Sequence, residues 1–445
     1  MRPENLKQAR KDYRAGKISK EQLTAVEDAA IRELVAKQKQ AGYHIITDGE
    51  YRREYWHLDF MWGFAGVGHE KTGGGVQFNG EMADLEDTYL TGKVKAVPHP
   101  FVTYFQFLKQ FEDDETVAKY TIPAPAQMFQ QMIVPQNFQS TREFYATNEE
   151  LIHDIGVAYQ EVIRQFYDAG CRNLQLDDCT WGAIVGNAAK QRYQSLGIDL
   201  EDVKKQLLAV NNLALENKPT DMVITSHICR GNYHSTFFTS GPYDSVADYV
   251  FAQENVDALL LEYDDERSGG FEPLAKVSPN KKVVLGLITS KKPELEDKQT
   301  VIARIHEAAK YIPLDRLCLS PQCGFASCEI GNKLTEADEW AKLALVESRR
   351  SLGIIAFLRQ YRTKSVWRLC TPSACNSLQS LFRIFRTHLA SGYFGNTENP
   401  QRIFSVFPSS LKIDDAICIR QIRNRLSYFK MLVNTSSIHS AFCFI

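Results

Sequence analysis

The sequence predicts an α/β chain organised as a TIM-type (β/α)8 barrel that lacks its first strand, carries an inserted segment near residues 70–118 and ends in an unrelated basic tail. Three observations lead there. Seven short, largely apolar segments recur along residues 1–353, helical stretches separate most of them, and no Gly-x-Gly-x-x-Gly run follows a strand. Short apolar strands alternating with helices imply a parallel sheet covered by helices. With this many units a barrel suits the length better than an open doubly wound sheet, and the missing glycine loop argues against dinucleotide binding.

Taken in order, Ser19 and Gln22 form a capping box, with Leu23, Val26, Ala30 and Leu34 following on one helical stripe. Gly42 ends that helix and YHIITDGE (43–50) reads as a strand. Residues 70–118, with the turn-rich KTGGG and the charged FEDDE, read as an insertion. KYTIPAPAQ (119–127) is the next strand; Thr147 and Glu150 then cap a helix whose apolar face is Leu151, Ile155, Ala158, Val162 and Phe166. Gly170 stops it, and NLQLDD (173–178) follows. The remaining strands are DMVITSHIC (221–229), ALLLEYD (258–264), KVVLGLITS (282–290) and LCLSPQCG (317–324), with VIARIHEAAKYI as a helix between the last two.

Hydrophobic content of 44% and charged content of 24% describe a soluble globular chain. No apolar run approaches the roughly 18–20 residues that span a bilayer, and the N-terminal MRPENLKQARKDYRAGK has no apolar signal core, so a cytoplasmic protein is expected. Ten cysteines in such a chain serve as buried apolar groups or metal ligands more often than as disulfides. The net charge of −2 conceals an asymmetry: residues 354–445 hold 12 Lys and Arg against 3 Asp and Glu. A boundary therefore falls near Gly353. The tail carries Cys370, Cys375, Cys418 and Cys443 and twelve serines without a sustained period, so it is expected to be a poorly ordered extension. No recognised motif interleaves its basic residues, so neither nucleic acid nor membrane is an expected partner.

The chemistry gathers at strand ends. Period two points His227 and Cys229 the same way, and in a barrel the C-terminal strand ends form the active-site face. The next strand delivers Glu262, and the last delivers Cys323 within SPQCG. Imidazole, thiolates and a carboxylate together suit tetrahedral zinc. On spacing alone, a strand-end histidine also serves as hydrogen-bonded structure and a cysteine as core. Cys171, Cys179, Cys318 and Cys328 compete as ligands, and Asp264, Asp265 and Glu266 compete with Glu262.

The segments TDGEYRREYWHLDFMWGF, LQLDDCTWG, HICRGNYHS, LLLEYDDERSGG and SPQCGFAS resemble the cobalamin-independent methionine synthase family, most closely its short single-barrel bacterial members, through about residues 2–353. The resemblance implies Zn2+ held by His227, Cys229, Glu262 and Cys323. It implies methyl transfer from 5-methyltetrahydrofolate (polyglutamate) to homocysteine, forming methionine. Asp177 and Glu50 match the family's catalytic acidic positions that hold the substrate amino group; salt bridges to Arg52 or Arg53 are the plainer role for such acids. Asp178 points the other way and caps the following turn. Trp181, with Tyr55, Trp56, Phe60 and Trp62, is available to stack on a pterin ring or to fill the core. His57 and His234 are candidate proton carriers or structural residues.

Two departures bear on activity. The family's extra strand before RPEN, ending in a Gly-Ser turn that holds the substrate carboxylate, has no counterpart here. Where larger folate-dependent members place a relay histidine after the seventh strand, this chain reads LITSKKPELED, with Thr289 and Ser290. A zinc-dependent thiol alkyltransferase with another donor, or a truncated inactive member, are the alternatives.

Overall fold

The computed structural model describes residues 1–347. The expected boundary near Gly353 and the basic tail 354–445 lie outside the described residues. Two helices open the chain, Glu4–Arg14 and Lys20–Gln40. The second starts on the expected capping box, with Ser19 accepting from Gln22 N and the Gln22 side chain accepting from Ser19 N. It buries Leu23, Ala30, Ile31 and Val35, so its core stripe is rotated slightly from the expected one; Val26 and Leu34 lie half-buried at its margin. Glu27 is buried there as well, because Arg10 at 3.1 Å and Arg52 at 3.3 Å neutralise it.

The strands follow in sequence: Ile45–Ile46 (β1), Ala65–Glu70 (β2), Gly75–Gln77 (β3), Met82–Asp84 (β4), Asp87–Lys95 (β5), Val117–Ala118 (β6), Tyr120–Pro123 (β7), Asn173–Asp177 (β8), Val223–Ile228 (β9), Ala258–Glu262 (β10), Lys282–Ile288 (β11) and Leu317–Pro321 (β12). β7 to β12 form one six-stranded parallel sheet in sequential order, as alternating βα units require. β1 pairs in parallel with β6, and Lys119 N donates to the Ile46 carbonyl at 2.9 Å, continuing that pairing towards β7. All seven expected strands are therefore present. Among the described residues the ladder does not close into eight strands. The segments after β1 and β12 are tied instead by Arg2, whose guanidinium donates to the carbonyls of Glu50 (3.0 Å), Arg53 (3.3 Å), Ala326 (3.1 Å) and Cys328 (2.7 Å).

The inserted segment has different limits from those expected. β2 pairs antiparallel with β5, and β3 with β4, so the inserted ribbon runs from Ala65 to Lys95. Helix Pro100–Lys109 is a crossover between parallel strands, and β6 belongs to the parallel set. The charged FEDDE sits in the turn joining them. The β3–β4 hairpin reaches the loop after β9: Asn79 N donates to the Phe237 carbonyl, and Glu81 pairs with His234 (2.6 Å) and Lys333 (2.6 Å).

Alternation within the sheet sets up the site. Leu174, Leu176, Ile224, Ile228, Leu259, Leu261 and Leu285 are wholly buried on one face. The intervening positions are more polar. Thr121 lies beside Gln175, Asp177 beside His227, and His227 beside Leu260, so these residues share the opposite face with Glu262. Helix Asn148–Asp168, with Thr147 accepting from Glu150 N, packs Leu151, Ile155, Ala158, Val162 and Phe166 into the core as the sequence indicates.

Candidate metal centre

β9 hands His227 and Cys229 to the polar face, and the loop after β12 brings Cys323 to meet them. One imidazole nitrogen and the two Sγ atoms lie within 4.8 Å of one another. Zn–S and Zn–N distances of about 2.3 and 2.0–2.1 Å place tetrahedral donors under about 4 Å apart, so the group is slightly wider than a closed zinc shell and small side-chain rotations would bring the three donors onto one cation. The His227 Nε2 is buried with no hydrogen-bond partner. A buried polar atom without a partner carries a desolvation penalty unless a ligand satisfies it. The donor types and this orphaned nitrogen fit Zn2+.

Glu262 is the expected ligand that this group does not include. It is wholly buried at the end of β10, where Oε2 accepts from Arg230 N at 3.0 Å and Oε1 lies 3.2 Å from Arg267 Nη2. A carboxylate removed from water needs a cationic partner, and Arg267, in the short turn Glu266–Ser268, supplies it. Oε1 accepts no hydrogen bond, so part of its capacity is left open. Asp264 and Asp265 are engaged by the same arginine. Of the rival cysteines, Cys171 is core, its thiol pushed up to about 12 by burial, and Cys318 sits on β12 with its thiol also raised by burial. Cys328 lies at the Arg2 junction. Cys179 is different: its Sγ touches that of Cys229 at 3.2 Å.

The cluster is electrostatically coupled. Contact with Cys229, together with the His227 imidazole, holds the Cys323 thiol below its ordinary range despite burial. Cys229 is raised, first by Cys179 and then by Cys323. Burial works against the charged form of His227, yet Cys323, Asp177 and Glu262 outweigh it and raise the imidazole. The arrangement concentrates negative charge where a dication would sit.

Asp177 ends β8 next to His227, and burial lifts it to about 6, with His227 opposing and Glu50 reinforcing the shift. Gln175, two residues earlier on the same face, donates to Asp177 at 2.6 Å while accepting from Lys119 at 2.8 Å. Glu50 accepts from Thr121 Oγ1 (2.7 Å) and Arg53 Nη1 (2.9 Å), so the salt bridge weighed for these acids exists for Glu50. Its backbone is left-handed, φ 57°, a conformation uncommon outside glycine. Period two could have marked Gln175; nothing in the sequence pairs Arg267 with Glu262.

A family model described as the catalytic domain of cobalamin-independent synthase matches residues 2–342. The chain belongs to the cobalamin-independent methionine synthase family. Bacillus subtilis (strain 168) YxjH, described as uncharacterised, is 43% identical over 339 residues, covering 76% of this chain and 88% of YxjH. A methionine synthase of Saccharolobus solfataricus is 23% identical over 326 residues, covering 73% of this chain and 85% of its own. A Listeria monocytogenes crystal structure, described as that of a proposed vitamin-B12-independent methionine synthase, superimposes with TM-score 0.61 at 35% identity, covering 78% of this chain and 93% of that one.

Within this cobalamin-independent synthase family member, the aromatics divide between the core and partly exposed positions. Trp181 is wholly buried in the core cluster, pinned in the short helix Thr180–Ala183, and offers no ring face for stacking. Phe60 is likewise core, among His99, Phe64 and Phe101. Tyr55, Trp56 and Trp62 remain half-buried. Burial favours neutral His57, its pKa pushed down to about 3. His234 is paired with Glu81. Asp178 caps its turn as expected, accepting from Thr180 N and Asn211.

Proposed function

We propose that the protein is a zinc-dependent methyltransferase that moves a methyl group from 5-methyltetrahydrofolate (polyglutamate) to the thiol of homocysteine, forming methionine. The observation that carries this reading is the meeting of His227 and Cys229, from the end of β9, with Cys323, from the loop after β12, around one point. Bound there, Zn2+ would supply the Lewis acidity that ionises an incoming thiol at neutral pH, where a free thiol with a pKa near about 8.5 is mostly protonated. His227, Cys229 and Cys323 are the residues to hold it, with Glu262 as the fourth ligand once its carboxylate turns from Arg267. A thiolate-rich set suits this chemistry better than three histidines, which suit water activation.

Asp177 and Glu50 are the groups to receive the substrate ammonium. They stand on neighbouring parts of the polar face; burial is the main cause of the rise in Asp177, and the Glu50 carboxylate adds to it. An ammonium placed there would favour both charged forms. Gln175 and Lys119 hold Asp177 in position.

The reading implies a cytoplasmic enzyme of small-molecule substrates; no described helix is long and apolar enough to cross a membrane. One observation favours a different donor. The loop after β11 carries no histidine, and both its hydroxyl residues have structural duties: Thr289 Oγ1 accepts from Lys291 N, and Ser290 Oγ accepts from Gln322. Zinc-loaded protein incubated with homocysteine and either 5-methyltetrahydrofolate triglutamate or a methylated corrinoid, scored for methionine by mass spectrometry, tests both. Methionine from the folate supports the primary reading, methionine from the corrinoid alone supports the second, and none from either refutes methionine synthesis.

A further inference from the structure

Cys179 lies outside every role assigned so far. It precedes the short helix Thr180–Ala183 after β8 and is partly buried, while Cys229 is buried just past the end of β9. Their sulfurs are 3.2 Å apart, inside van der Waals contact and about 1.2 Å longer than a disulfide bond.

The backbones bearing these sulfurs are fixed. Asp178 N donates to the His227 carbonyl at 2.8 Å, extending the β8–β9 pairing one residue beyond the strand. Asp178 is itself locked by Thr180 and by Asn211, which also donates to Glu254. Gly182 presses so closely on Cys229 that a Cβ there would stand 1.9 Å from the Cys229 carbonyl oxygen. Thr239 Oγ1 closes the other side by donating to the Gly182 carbonyl at 2.7 Å. This packing fixes the two backbones that carry the sulfurs and holds the side chains within reach of one another.

We infer that Cys179 and Cys229 form a reversible disulfide when a hydroperoxide reaches the site, making Cys179 a modification site that withdraws a ligand from the metal centre. The sulfur of the partly buried Cys179 attacks the peroxide, the O–O bond breaks, and the residue becomes a sulfenic acid with release of water or alcohol. The Cys229 thiolate then attacks that sulfur, the S–O bond breaks, and the oxygen leaves as water with one proton. Two thiols lose two electrons to one peroxide. Cys323 and Cys229 share the work of metal binding, whereas Cys179 has no such duty, so its thiol is the one free to react first. The consequence for the metal rests on Cys229 being a ligand; the bond between the two cysteines does not.

The test uses the full chain, zinc-loaded, treated with hydrogen peroxide. Non-reducing tryptic mass spectrometry reads the cross-link and a chromophoric chelator reads released zinc. Residues 179 and 229 fall in different tryptic peptides, since Lys190, Lys204 and Lys205 lie between them. Wild type is expected to give a 179–229 cross-link with zinc release, both reversed by dithiothreitol. In Cys179→Ala and in the near-isosteric Cys179→Ser, the cross-link is lost and dithiothreitol restores no zinc binding after the same exposure. A 229–323 cross-link in wild type, no cross-link at Cys179, or equal reversibility in the variants overturns the inference. A 179–229 cross-link in protein that retains no zinc after loading would leave the pair intact and refute the metal reading instead.

Discussion

Glu254→Gln probes the buried floor beneath the site. Glu254 is wholly buried just after helix Val250–Gln253; Oε1 accepts from Asn211 at 2.8 Å and Oε2 has no hydrogen-bond partner. Burial, with the Asp178 carboxylate beyond Asn211, lifts its pKa from 4.5 to about 8, and Lys281 only partly opposes this. The folded state thus keeps a proton that the unfolded chain releases near pH 4.5. Stability from this group is complete below that pH and is lost as pH rises through about 8. At about 1.36 kcal/mol per pKa unit the full swing would be near 5 kcal/mol, and relaxation and water penetration should reduce it to about 2–3 kcal/mol. Urea denaturation followed by circular dichroism from pH 5 to 8.5, with zinc held constant, should show wild type losing that amount. Glu254→Gln, which imitates the protonated acid, should lack this component and be the more stable protein at pH 8.5. Parallel pH profiles for the two proteins would refute the reasoning.

Asp177→Asn and Glu50→Gln should each remove one charge-assisted contact to the substrate ammonium, about 1.5–3 kcal/mol, raising KM for homocysteine by about 10–100-fold with kcat less affected. Steady-state kinetics at pH 7.5, above the Asp177 pKa of about 6, reads the effect. Gly182→Ala drives a Cβ against the Cys229 carbonyl and should lower stability by about 1–3 kcal/mol in thermal melts while weakening zinc retention. Arg267→Met strips Glu262 of its partner and should destabilise the zinc-free protein by about 3–5 kcal/mol. Saturating zinc should shrink that loss, because the freed carboxylate then has another cation; a loss independent of zinc would argue against Glu262 as a ligand.

Much of the fold was legible because strand and helix periods differ and the stop signals are local. The Ser19 and Thr147 caps, the glycines ending their helices and the apolar strands after them all lie within a few residues of what they control. The limits of the insertion were not legible, since charged FEDDE and the crossover helix before it look no different from a surface excursion until β6 pairs with β1. At the site, period two placed His227 with Cys229 and separated Asp177 from Asp178. It could not show that Glu262 would be drawn to Arg267, or that Cys179 would touch Cys229, because such contacts arise only when separate strand ends meet. The two roles open to Trp181 stay undivided in the sequence for the same reason: an aromatic beside a site residue looks identical whether it faces the mouth or the core.

Zinc K-edge X-ray absorption on purified protein, with metal per chain measured on the same sample, addresses the central claim most directly. One zinc per chain, with two sulfur scatterers at about 2.3 Å and nitrogen or oxygen at about 2.0–2.1 Å, is expected, falling to one sulfur in Cys323→Ser. A shell without sulfur, or the same two sulfurs surviving in Cys323→Ser, would contradict it.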